Sequence, residues 1–230
     1  MEFSIGKVQK RSAEVQAAEV LRAAIIAGGI PLGSRLTEIS TADQLGVSRA
    51  TIRTAFHQLV QDGLLVQVPY TGWTVMVLNP LDAWELYTLR VSLEALAARL
   101  VAKKVLAGVE AVTVRTALSK SFALLKEACQ TRDASVIAAA DMALHKSILE
   151  LSGHRRLVEQ YCRIEHQILI YIRSSDALVS DPDEIIAQHQ PVIDAMMAGD
   201  AEGAITALVT HIEDEGAILV GHLKESEAEG

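Results

Sequence analysis

Aromatic residues are scarce: three Phe, two Trp and four Tyr make up 4% of this 230-residue chain. Half of the chain is nevertheless hydrophobic, so its apolar content is Ala, Leu, Ile and Val, which suits helix packed on helix better than a β-sandwich. Cysteine is nearly absent. Cys129 and Cys162 have no Cys-x-x-Cys partner, which excludes a disulfide framework and a zinc finger and leaves two buried thiols as the expectation. Five prolines and 14 glycines are too few for a disordered or low-complexity chain. No stretch of 18 uncharged apolar residues occurs, and MEFSIGKVQKRSAEVQ holds no apolar core of signal-peptide length. The expectation is a soluble, cytoplasmic protein with no membrane partner. The length suits two domains, and no fixed-period repeat is visible.

The net charge of -8 argues at first against nucleic acid. Its distribution reverses that. Residues 1–78 carry seven Lys/Arg against six Asp/Glu, or +1, and residues 79–230 carry 14 against 23, or -9. The first part therefore remains eligible to approach phosphates.

Residues 12–28 read as an amphipathic helix capped by Ser12 and ended by Gly28-Gly29. A second helix runs from about Thr37 to Leu45 and stops at Gly46. Ser48 caps a third, SRATIRTAFHQLVQDG, whose apolar face is Ile52, Ala55, Phe56 and Leu59. Arg49, Arg53 and His57 form an i, i+4, i+8 row turning away from that face. Two helices joined by the short turn LGVS, the second presenting basic groups, describe a helix-turn-helix. LLVQVPYTGWTVMVL follows, two β-rich runs flanking Pro69-Tyr70-Thr71-Gly72, a hairpin in the place of a wing.

With its turn, VSR, following Arg, DGL and wing glycine in order, the run LTEISTADQLGVSRATIRTAFHQLVQDGLLVQVPYTGWTV resembles the winged-helix domain of the GntR family of bacterial transcription regulators. The resemblance covers residues 12–77. It implies contacts with a double-stranded DNA operator from Arg35, Ser48, Arg49, Thr51 and Arg53 and from the wing around Gly72. A guanidinium can clamp phosphate or the guanine edge, and Ser and Thr can donate to phosphate at a helix N-terminus. Ala50 stands where the family often has Pro, and Tyr70 and Thr71 where it often has basic residues.

Leu78-Asn79-Pro80-Leu81-Asp82 reads as the domain boundary, with Asn79 or Asp82 capping the next helix. This divides the chain into a winged-helix domain at 1–78 and a helical domain at 79–230. The second part shows only helical stretches, at roughly 82–105, 108–131, 133–152, 154–176, 181–199 and 201–224, joined briefly enough for an antiparallel bundle. The fold class expected is therefore mostly α. LYTLRVSLEALAARLVA, ADMALHKSILELSGHRRL and IIAQHQPVIDAMMAGDAEGAITALVTHI resemble the FCD ligand-binding domain of the FadR-like branch of the same family.

Asp141 and His145, at i and i+4, share one helix face, and His189 and His211 fall in other helical segments. Singly, each has a plainer reading as a surface charge or a core histidine. Brought together they would form a borderline-soft site, and the resemblance implies that they hold a divalent metal. Nitrogen-rich ligation favours Zn or Ni and admits Fe or Mn. A small carboxylate effector could occupy open coordination positions, with Arg90 as its counter-cation; the alternative for Arg90 is a pair with Glu94 at i+4. Arg163 and Arg173 are weaker candidates. His154 reads as a helix-start residue, and His57, His166 and His222 are given no metal role. The whole describes a homodimeric regulator on a pseudo-palindromic operator. The alternatives are a metal-dependent hydrolase, for which no general base is recognisable, and a regulator whose metal is structural or itself the signal.

Overall fold

A computed structural model describes residues 11–68, 72–108 and 110–229. The chain divides into two compact units, with the break between Val77 and Leu78. The described residues are mostly helical, 78% helix.

The first unit contains α1 (Ala13–Ile26), β1 (Arg35–Leu36), α2 (Glu38–Leu45), α3 (Arg49–Gln61), β2 (Leu65–Val68) and β3 (Gly72–Val75). Ser12, Thr37 and Ser48 each start a helix by accepting a backbone N–H with their side-chain oxygen. These bonds satisfy donors that the helix leaves unpaired. Gly46 ends α2 at φ 65°, a conformation that costs glycine nothing, and so makes the tight turn into α3. Leu21 and Ile25 of α1 join Ile52, Ala55, Phe56 and Leu59 of α3 in a core closed by Leu64, Trp73 and Val75. The sheet order is β1-β3-β2, all antiparallel. Strand β1 lies in the segment between the first two helices, which the sequence pattern leaves unassigned. Two residues carry too little periodicity to announce a strand, and Arg35 and Leu36 are held by pairing with Thr74 and Trp73. The wing tip at Tyr70 and Thr71 lies outside the described residues.

The second unit comprises α4 (Pro80–Leu106), α5 (Ala111–Thr131), α6 (Ala134–Ser152), α7 (Arg155–Tyr161), α8 (Glu165–Asp176), α9 (Pro182–Ala198) and α10 (Ala201–Glu229). Asn79, Asp133, His154 and Asp181 cap α4, α6, α7 and α9 through their side chains. Helix α4 is central: it packs along α10 and touches α5, α6, α7 and α9. Its inward face is mostly alanine and valine (Ala83, Ala97, Ala98, Val101, Ala102, Val105), small residues that let neighbouring helices come close.

The single helix expected over 154–176 is two. Successive i→i−3 bonds, Arg163 N to Gln160 O and Ile164 N to Tyr161 O, tighten the chain after α7. Tyr161 is buried, and its Oη donates to Glu94 on α4 at 3.1 Å. That anchor keeps α7 against α4 and α6, while α8 turns to pack on α6 and α10. No Gly or Pro marks the break. Conversely, Pro191 sits inside α9, where it removes the N–H that would otherwise bond Ala187 O. Both cysteines are free; Cys129 is buried as expected, whereas Cys162 is half-buried because it falls in the turn after α7.

Gly216 of α10 faces α4. A Cβ there would lie 2.8 Å from Tyr87 Cγ and 3.0 Å from its Cβ, and the buried Tyr87 is pinned by bonds from Oη to Ser175 and Glu215. Helix propensity alone predicts that Gly216→Ala stabilises by about 1 kcal/mol. Overcrowding at Tyr87 reverses the sign, and urea denaturation is expected to show a net loss of about 1–3 kcal/mol.

Candidate functional site

In the first unit, helix α3 begins at Ser48, whose Oγ accepts from Thr51 N at 3.1 Å and lies 2.9 Å from Thr51 Oγ1. The α3 N-terminus thus carries two hydroxyls beside a positive helix-dipole end, which suits a phosphate oxygen. Arg49 is exposed on the first turn, and Arg35 is exposed on β1. Arg53 is differently placed: its guanidinium forks onto Glu38 of α2 at 2.8 and 2.7 Å. This pair lowers the Glu38 carboxyl below its ordinary range and braces α2 against α3. Being solvent-exposed it contributes little stability. His57 meets the Trp73 ring edge-on at 5.0 Å, which ties α3 to β3. Gly72 opens β3 with φ +102°, a backbone conformation that residues with a Cβ rarely adopt.

The second unit holds a buried cluster. Asp141 and His145 come from α6, His189 from α9 and His211 from α10, and all four are buried. His145 Nε2 lies 3.2 Å from His189 Nε2, 3.4 Å from His211 Nε2 and 3.4 Å from Asp141 Oδ1. Asp141 Oδ1 is 2.8 Å from His189 Nε2.

The far sides of the rings decide what these nitrogens carry. His145 Nδ1 stands 2.5 Å from Glu94 Oε2, and His189 Nδ1 stands 2.7 Å from Ile185 O. Both oxygens only accept, so each Nδ1 bears a proton and each Nε2 is the nitrogen turned toward the cluster. The Nε2 atoms of three imidazoles and a carboxylate oxygen therefore meet in one cluster.

Only a cation relieves that arrangement. In the metal-free chain it is a proton. Burial opposes charge on His145, but Glu94 and Asp141 outweigh it and hold the ring protonated up to about 10. Asp141 is itself held well below the usual carboxylate range, burial being outweighed by His189 and His145. His211 stays neutral through burial and its neighbouring imidazoles. A divalent ion would replace the proton. Bonds of about 2.0–2.2 Å to nitrogen and oxygen place adjacent ligands about 2.8–3.6 Å apart, a range that includes the spacings of 2.8, 3.2 and 3.4 Å. The three histidines fit such an ion, and Asp141 stands beside two of them.

Three carboxylates shape this centre, of which sequence reading named only Glu94, as the partner of Arg90. Glu94 orients His145, accepts from Arg90 Nε at 3.0 Å and from Tyr161, and titrates near 2 because His145 and Arg90 overcome its burial. Such a carboxylate behind a ligand histidine fixes its tautomer. Glu215 of α10 takes Tyr87 Oη at 2.8 Å, Ser175 Oγ at 2.5 Å and Arg90 Nη1 at 3.4 Å. Asp176 ends α8, with one oxygen within 4.8 Å of oxygens of Asp141 and Glu215. Burial first, then those two carboxylates, push it to about 9. Only Glu94 had a signal in the sequence, its i+4 spacing from Arg90. Arg90 is fully buried and makes the pair with Glu94, yet its Nη2 is left without a partner.

Residues 13–75 match the profile of bacterial regulatory proteins of the gntR family, and residues 85–214 match that of the FCD domain. The chain belongs to the GntR family. Among its relatives, the "Probable D-xylose utilization operon transcriptional repressor" of Paenarthrobacter nicotinovorans is 33% identical over 82% of this chain and 80% of its own length. The gluconate operon transcriptional repressor of Bacillus licheniformis is 24% identical over 90% of this chain and 85% of its own. A solved structure described as a transcriptional regulator GntR, from Rhodococcus sp. RHA1, superposes with a TM-score of 0.78 and 26% identity, covering 92% of this chain and 99% of that one. This GntR-family chain is thus a transcription regulator with a helix-turn-helix and an FCD domain, and the hydrolase alternative is set aside. Among the described residues no helix is long and apolar enough to cross a membrane.

Replacing Glu94 by Gln keeps its size but removes the anion behind His145 and beside Arg90. Chelator competition is expected to show metal affinity reduced about 10- to 100-fold. Denaturation of the metal-free protein should show a loss of about 3–5 kcal/mol, because Arg90 keeps only its longer contact to Glu215 at 3.4 Å.

Proposed function

We propose that this regulator is a repressor whose operator affinity is set by a small organic acid bound beside a divalent metal in the FCD domain. One observation carries the reading: His145, His189, His211 and Asp141 are brought together in a buried cluster, in a chain that also bears a DNA-binding head. A divalent ion held there, Zn or Ni by its nitrogen-rich donor set, or Fe or Mn, supplies open Lewis-acid positions for effector oxygens. Arg90 Nη2, buried and unpartnered, supplies a donor for the acid's second oxygen. Relatives named for D-xylose utilization and gluconate operons support a small organic effector and repression.

In this reading Arg35 and Arg49 contact phosphate or base edges, Ser48 and Thr51 hold a phosphate at the α3 N-terminus, and Gly72 sets the wing. Arg53 joins them by exchanging Glu38 for the more highly charged phosphate backbone. The protein acts as a cytoplasmic homodimer, so its operator is pseudo-palindromic. Regulation is then a linked equilibrium: an acid that prefers one arrangement of the two DNA-binding heads changes operator affinity by its differential affinity for that arrangement.

Two measurements test this. Arg49→Ala should weaken operator binding by about 10- to 100-fold without altering metal content, whether Arg49 reads a base or a phosphate. Operator affinity titrated with organic acids should change in metal-loaded protein and stay constant after chelation. Identical affinity under every acid would sink the sensor reading, and a response to metal alone would make the metal the signal.

A further inference from the structure

The outward side of α10 carries a regular row of side chains. Thr210, Glu213, Ala217 and Lys224 are exposed and Val220 is half-buried. They follow one another at alternating steps of three and four residues, the spacing with which one helix packs along another. A groove of about 570 Å³ lies between this row and α9, one of about 440 Å³ lies between it and α4, and Ala217 borders both. Ala217 and the exposed Gly221 keep the middle of the row low, so a second helix axis can come close. Trp84, one of two tryptophans in an aromatic-poor chain, lines the α4 groove at 57% exposure, and Ile218 lines the α9 groove at 51%. Exposed apolar side chains beside such a row mark a docking face.

We propose that the occupant of this face is α10 of a second copy of the chain, lying antiparallel along the row. The proposal rests on the homodimer reading above and names its interface. The order of the residues carries it, because the row is complementary to its own reverse. With the two-fold axis passing between Ile218 and Leu219, Glu213 of each copy falls opposite Lys224 of the other, and Ala217 falls opposite Val220. One symmetry operation thus matches both charges twice and leaves the small apolar residues at the centre. A parallel pairing would set Glu213 on Glu213 and Lys224 on Lys224, like charges that oppose association. Trp84 extends the contact onto α4 as an aromatic anchor, a residue type over-represented where binding energy concentrates. A partner of other sequence would not require this reversal symmetry in the row.

The test measures the mass of the full chain by light scattering over a concentration series, with circular dichroism as a check of folding. Wild type is expected to be dimeric at micromolar concentration. Glu213→Lys or Lys224→Glu alone creates two like-charge pairs and should weaken the dimer at least about tenfold, and the two reversals together should restore it. Ala217→Arg, which sets a long cation on each side of the axis, should give a folded monomer. An equimolar mixture of Ala217→Cys and Val220→Cys chains should cross-link under mild oxidation well beyond either chain alone, since only the mixture places the two thiols opposite each other. A folded dimer in Ala217→Arg, single reversals without effect, a double reversal that fails to restore the dimer, or no excess of cross-linking in the mixture would overturn the proposal and leave the homodimer with another interface. A monomeric wild type would remove the homodimer reading as well.

Discussion

A guanidinium with no access to water organises the helical unit. Arg90 is completely buried, and a charge so placed is tolerated only with close counter-charges and hydrogen bonds. It finds Glu94 one turn along α4 and Glu215 on α10. Each of these carboxylates then recruits others: Glu94 takes His145 of α6 and Tyr161 of α7, and Glu215 takes Tyr87 of α4 and Ser175 of α8. Helix α9 joins through His189 beside Asp141. One buried cation thereby sets the mutual placement of six of the seven helices.

Networks of this kind are high-stakes, since a half-satisfied one is worse than an apolar core. Among the described residues, four of the five buried side-chain atoms without partners, Asp141 Oδ1, Arg90 Nη2, Asp176 Oδ2 and His211 Nδ1, belong to the residues around this centre, the fifth being Tyr171 Oη. The aliphatic shell of Leu144, Ile148, Ile168, Val192, Ile193 and Ile212 is buried. Unmet polar groups concentrated inside a well-packed unit mark the place where binding energy is available. Because the ligating rings are held from behind by Glu94 and by Ile185 O, an ion meets preformed geometry and the cost of ordering its ligands is met by folding.

The DNA-binding head runs on shorter-range physics. Its helices are set by caps one turn away and by Trp73 packing on Phe56 and His57, and its charges lie at the surface. The Arg53–Glu38 fork is exposed, so it can exchange partners at little cost. A regulator needs both properties: a rigid interior where a small ligand is discriminated, and a surface where ionic contacts form and release with salt and sequence.

What the amino-acid order settled by itself was local. Ser12, Thr37, Ser48, Asn79, Asp133 and Asp181 cap their helices because capping joins a side chain to a backbone N–H two or three residues on, and the pattern Asp141-x-x-x-His145 shares a face because helical pitch makes it so. The helix-turn-helix and its hairpin were readable for the same reason. The break after Tyr161 and the pairing of Arg35 with β3 were not, since each depends on a partner distant in sequence: Glu94 for the first, Thr74 for the second. Asp176 and Glu215 look in sequence like any solvated acid. Only tertiary packing buried Glu215 beside Arg90 and set the half-buried Asp176 next to it, where lowered dielectric strengthens the interactions of both carboxylates.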